Sequence, residues 1–182
     1  FERRLVQQGQ SVEVIEFPRR FASVGEAGRA GGPAGVVSDL LLALPGILAY
    51  RQRLRRALTA TSTPPDIAHA HGFKMQVLGA MSLAPRTRLV WHLHDYVSAR
   101  RVSARLLRHF ASRVSVMIAN SESVAEDMRS VCGPACRIDT IYSGIDLETF
   151  APDGAQLDLD ATAGLPPAPP GTRRVGLVGT FG

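Results

Sequence analysis

Short apolar runs rich in β-branched residues alternate with longer amphipathic stretches along the chain, and this alternation restricts the fold more than any other feature. The runs are Ser11–Phe17 (SVEVIEF), Asp66–His71 (DIAHAH), Arg88–His94 (RLVWHLH), Val114–Ala119 (VSVMIA), Arg137–Tyr142 (RIDTIY) and Arg173–Gly179 (RRVGLVG). Each reads as a strand buried on both faces. Helical periodicity fills 36–60, 73–83, 98–113 and 121–131 between them. Strand, helix and strand in succession predict parallel pairing through crossovers, hence an α/β fold with a doubly wound, Rossmann-like parallel sheet.

Local signals place the boundaries. Ser121 precedes a helical stretch and Glu122 falls in its first turn, where a side-chain cap and a negative charge both stabilise a helix. Residues 25–35 (GEAGRAGGPAG) carry too little apolar surface to order themselves and read as a mobile loop. Pro45 should kink or split the helix around it. A proline-rich change of composition over 151–172 reads as a linker, separating a domain at 1–150 from the first strand and loop of a second at 173–182. The chain opens on Phe1 and stops at Gly182 inside a glycine turn, so both ends read as cut.

Charge and cysteine usage narrow the partners. The net charge of +5 is almost wholly arginine, Lys74 being the only lysine, and guanidinium suits phosphorylated partners. Aromatics make up 6% of the chain, too few to read as a stacking platform, so no nucleic-acid partner is expected. No apolar run approaches the roughly 20 residues needed to span a bilayer. Cys132 and Cys136 cannot by themselves complete a four-ligand zinc site, and they read as free thiols at a turn in a cytoplasmic protein. Two arginine clusters, Arg51, Arg53, Arg55 and Arg56, then Arg100, Arg101, Arg105 and Arg108, read as solvated helix faces. Their alternative is peripheral contact with the inner face of an anionic membrane carrying a lipid-linked or phosphorylated acceptor.

Ligands of open α/β sheets bind beyond the carboxyl ends of the strands, and those ends are polar here. His69 and His71 close one strand; His92, His94 and Asp95 the next; Asn120 and Ser121 a third; Ser143, Gly144 and Asp146 a fourth. A single strand-end histidine is usually structural, but four successive ends delivering hydrogen-bonding groups to one edge make a candidate site.

The ordered series PDIAHAHG, VWHLHDY, VMIANSESVAEDM, IYSGIDLETFAP and RRVGLVGTFG resembles family-4-like glycosyltransferases, with SGIDLETFAP a version of their N-G-[VI]-D-x-x-x-F-x-P element. The resemblance implies one half of a two-domain GT-B enzyme. Such an enzyme transfers a sugar from a nucleoside diphosphate with retention of configuration, and it needs no bound metal or cofactor, the nucleotide sugar being a substrate. It places His94, with Asp95, beside the transferred sugar. His71, Asn120, Ser121 and Glu122 then line the cleft, Ser143, Gly144 and Asp146 form the turn facing the other domain, and Gly179 and Gly182 begin the donor-phosphate loop. Ser143 stands where the family carries Asn, so an amide donor is lost there. By the same reading these 182 residues alone are inactive.

Three rival readings follow from the residues. The pairs His69/His71 and His92/His94, with Asp95, offer ligands to a metal-dependent hydrolase, although HLHDY lacks the H-x-H-x-D-H pattern. The run VGLVGTFG offers a phosphate loop to a plain nucleotide-binding module, but its glycine spacing differs from G-x-G-x-x-G. A sugar epimerase of GT-B type shares the resemblance without transferring sugar.

Overall fold

The computed structural model describes residues 2–23, 28–60, 65–155, 157–169 and 171–173. It divides into one compact unit over Phe1–Ser143 and another over Gly144–Gly182. The first unit holds α1 (Glu2–Gln7), α2 (Arg19–Ser23), α3 (Gly28–Thr59), β1 (Ile67–His71), α4 (Phe73–Ser82), β2 (Arg88–Leu93), α5 (Arg101–Phe110), a 3₁₀ turn (Ala111–Arg113), β3 (Val114–Ala119), α6 (Glu122–Cys132) and β4 (Ile138–Thr140). The second holds α7 (Leu159–Thr162), whose N-cap Asp158 accepts from Ala161 N at 3.0 Å. The expected strand Arg173–Gly179, with Gly179 and Gly182, lies outside the described residues apart from Arg173.

All strand pairs are parallel, in the order β1-β2-β3-β4, which is the Rossmann-like α/β sheet the sequence predicts. Because the order never reverses and crossovers are right-handed, α4, α5 and α6 pack on one face. Leu89, Trp91 and Leu93 of β2 point into that layer and are at most 1% exposed, joined by Leu107, Met117, Ala119, Val124, Ala125 and Met128. Burial of such side chains is worth about 1.5–3 kcal/mol each before entropy is counted. The strands are not buried on both faces as the apolar runs imply: on the opposite face His69 and His71 are exposed and Val90, His92, Val116 and Ile118 half-buried.

Ser11–Phe17 is not a strand. It has no sheet partner among the described residues, and its alternation is spent elsewhere: Ile15 and Phe17 pack on α2 and α3, with Phe17 stacked on Phe21 at 5.2 Å and edge-on to Tyr50 at 5.0 Å. Residues 28–35, expected to be loop, belong to α3. Helix α3 also passes uninterrupted through Pro45, held on both sides by buried Ala43, Ile47 and Tyr50. The neighbouring Gly46 admits Pro18, whose Cβ lies 3.4 Å from where a side chain would begin. Two arginines of α3 serve the fold: Arg51 Nε donates to Met81 O at 3.0 Å and Arg53 to Glu16 O at 3.3 Å. Among the described residues no helix is long and apolar enough to cross a membrane.

The Ser121 cap forms as predicted, its Oγ accepting from Val124 N at 3.3 Å. Ser121→Ala should therefore cost about 1 kcal/mol in a urea titration, and a loss under roughly 0.3 kcal/mol would show the cap to be idle.

Candidate functional site

The carboxyl edge of the sheet gathers the strand-end residues of the first unit. His71 is the last residue of β1, and its chain turns at once into α4 through Gly72, whose φ of 74° is a conformation that favours glycine. His94 and Asp95 follow β2 and are exposed; Asn120 and Ser121 follow β3. In the β1–β2 register His71 stands opposite His92, and the period of two residues puts His69, His71, His92 and His94 on one face. Their rings touch in a chain: His69 stacks on His92 (5.2 Å), His92 on His94 (4.3 Å) and His94 on His71 (5.7 Å).

His94 Nε2 lies 3.4 Å from His71 Nδ1. Such a contact needs one ring nitrogen to donate and the other to accept, so it is lost if both rings carry a second proton. Burial, then the charges of His69 and His94, pull the His71 pKa below its ordinary value. Burial followed by His94, His71 and His69 does the same to His92. Both shifts favour the neutral ring. One ring nitrogen from each of His69, His71 and His92 lies within 4.8 Å of the other two, making this the group of the described residues able to hold a metal ion.

The remaining predicted residues divide. Asn120 is half-buried, its Oδ1 without a protein partner, while its N donates to Leu93 O at 3.1 Å. Glu122 is engaged within the fold: Arg129 reaches one carboxylate oxygen at 2.7 Å and Thr140 Oγ1 the other at 2.8 Å, and these bonds, Arg129's first, hold its pKa down. Ser143 is exposed at the end of the first unit. Within the second unit Asp146 closes a turn, accepting from Glu148 N, Thr149 N and Thr149 Oγ1 at 3.0, 3.2 and 2.6 Å, and these bonds depress its pKa. Gly144 precedes that turn and is exposed.

Other residues shape the edge without having been legible in the sequence. Asp127 of α6 accepts from Val97 N at 2.5 Å, Ser98 N at 3.1 Å and Ser98 Oγ, tethering the loop that carries His94 and Asp95. Tyr96 Oη of the same loop donates to Ser123 Oγ at 3.2 Å. Gln76, fully buried in α4, donates to His92 O at 2.8 Å. No local signal marks partners 27 to 30 positions apart, as Tyr96 and Ser123 or Val97 and Asp127 are.

Two further features stand apart from the edge. Cys132 and Cys136 are free, and burial, followed by the neighbouring Cys136, pushes the Cys132 thiol up to about 12, which leaves it unreactive. An apolar pocket of about 240 Å³ between α3, α4 and α5, lined by Leu40, Ile47, Val77 and Leu106 among others, includes none of the strand-end residues.

Polar groups at the carboxyl ends of parallel strands, backed by crossover helices on one face, define a Rossmann-like binding unit. The family model of Glycosyltransferase Family 4 matches residues 1–149, and the chain belongs to that family. The crystal structure of Anabaena Alr3699/HepE in complex with UDP and glucose has the same fold, with a TM-score of 0.53 and 24% sequence identity. That likeness covers 82% of this chain and 35% of the other, so the chain spans about a third of the solved protein's length. No curated protein sequence matches it.

Proposed function

We propose that this chain is the acceptor-side part of a glycosyltransferase moving a sugar, with retained anomeric configuration, from a nucleoside diphosphate to an acceptor. The reading rests on the convergence of His71, His94, Asp95, Asn120 and Ser121 at the carboxyl edge of a parallel sheet in a Family 4 chain. Family membership favours transfer over the hydrolase suggested by the histidine pairs.

The edge offers hydrogen-bonding groups around an open face, which suits orientation of a sugar and stabilisation of a cationic transition state. With Nε2 turned to His71, His94 keeps Nδ1 for a sugar hydroxyl or the departing phosphate. Asp95 adds negative charge beside a centre that becomes positive. In a front-face departure the leaving phosphate takes the acceptor proton, so His94 is assigned no nucleophilic step. Residues 151–172 serve as the linker in this reading.

The test is sugar transfer by the longest native polypeptide carrying this sequence, with a panel of nucleotide sugars and excess chelator. Transfer should persist at full rate, and the product anomer, read by NMR, should match the donor. Activity abolished by chelator, an inverted product, or conversion of the donor to its epimer without transfer overturns the reading.

A further inference from the structure

We propose that His69, His71 and His92, with His94 as fourth ligand, form a binding site for a divalent transition-metal ion of the zinc class. The site follows from strand geometry. Residues two apart on a strand share a face, so each His-x-His pair presents two imidazoles to the same side, and the β1–β2 register sets one pair beside the other.

The distances suit a small ion. Tetrahedral zinc with Zn–N bonds of about 2.0–2.1 Å places ligand nitrogens roughly 3.4 Å apart. His71 Nδ1 and His94 Nε2 already stand at 3.4 Å, and one nitrogen from each of His69, His71 and His92 lies within 4.8 Å of the other two. His69, His71 and His94 are exposed at the sheet edge. His92 Nδ1 is buried with no hydrogen-bond partner, an orphaned acceptor or donor in a cluster of four rings. An all-nitrogen donor set selects Zn²⁺, Cu²⁺ or Ni²⁺ over Mg²⁺ and Ca²⁺, which want oxygen.

The site has a consequence that rests on the reading of His94 as the donor-sugar contact. An ion on His94 Nε2 replaces the His71 contact and sets positive charge beside a centre that itself becomes positive, so zinc-class metals inhibit transfer rather than support it.

Metal binding is measured on tag-free protein by calorimetry with Zn²⁺ and by visible absorption with Co²⁺, neither of which needs activity. One ion per chain should bind with micromolar or tighter affinity, Co²⁺ giving the strong absorption of a tetrahedral site. His69→Ala and His92→Ala should each weaken binding at least about tenfold, while the pair Cys132→Ser and Cys136→Ser leaves it unchanged. No binding, binding indifferent to both histidine variants, or binding lost with the cysteines overturns the proposal. If transfer is detected, His69→Ala should relieve its inhibition by Zn²⁺; inhibition that persists overturns the inhibitory role. Absence of transfer with every donor in metal-free buffer counts against the glycosyltransferase reading and leaves the binding result standing.

Discussion

His94→Ala should lower sugar transfer at least about a hundredfold, a loss of roughly 2.7 kcal/mol in transition-state stabilisation. The side chain is exposed at the end of β2, so its removal leaves Leu93 and Trp91, the core anchors of that strand, untouched. Exposed substitutions of this kind change stability by about 0.5 kcal/mol or less, so the urea midpoint should hardly move. What is lost is a ring whose Nε2 lies 3.4 Å from His71 Nδ1. If that ring acts on the transition state, kcat falls while KM stays near its starting value. His94→Gln, which keeps a donor and an acceptor, should recover part of the rate. A loss under tenfold, or one confined to KM, would move His94 out of the catalytic role.

How much of this could be read in advance depended on the range of the interaction. The parallel sheet, the polar strand ends and the Ser121 cap rest on local spacing, and each was visible in the residues. Ser11–Phe17 has the same alternating pattern as β1, yet alternation says only that one side is buried, not against what. Its Ile15 and Phe17 found the aromatic pocket of Phe21 and Tyr50 instead of a sheet. Pro45 broke no helix because packing on both sides outweighs one missing backbone bond, a tertiary override that propensity does not contain. The two His-x-His pairs were each legible as one-faced, but their meeting in a single cluster depends on strand register, fixed only when His71 falls opposite His92. Glu122 illustrates the reverse: its motif position pointed to a ligand, while Arg129 and Thr140 occupy both of its oxygens.

Asp127→Ala should destabilise the protein by about 3 kcal/mol, because it removes three hydrogen bonds to a carboxylate and strands the amide of fully buried Val97. For a chain of this size that corresponds to a fall in Tm of order 9 °C. Burial alone would raise the Asp127 pKa, but bonds from Ser98 Oγ, Ser98 N and Val97 N outweigh it and hold the pKa below 3.8. A depressed folded-state pKa means the contribution is complete above the unfolded value, near pH 4, and is lost as pH falls through the folded one. The destabilisation measured by urea should therefore be flat from pH 5 to 8 and shrink below pH 4. Asp127→Asn, which keeps one acceptor oxygen but no charge, should lose less than alanine, and its deficit should shrink over the same acid range because it too arises from ionised wild-type Asp127. The tether also fixes the loop after His94, so the same alanine variant should lower kcat even at temperatures where it is fully folded. A destabilisation under 1 kcal/mol, or one that does not change between pH 3 and pH 6, would mean that the loop is held by its packing rather than by Asp127.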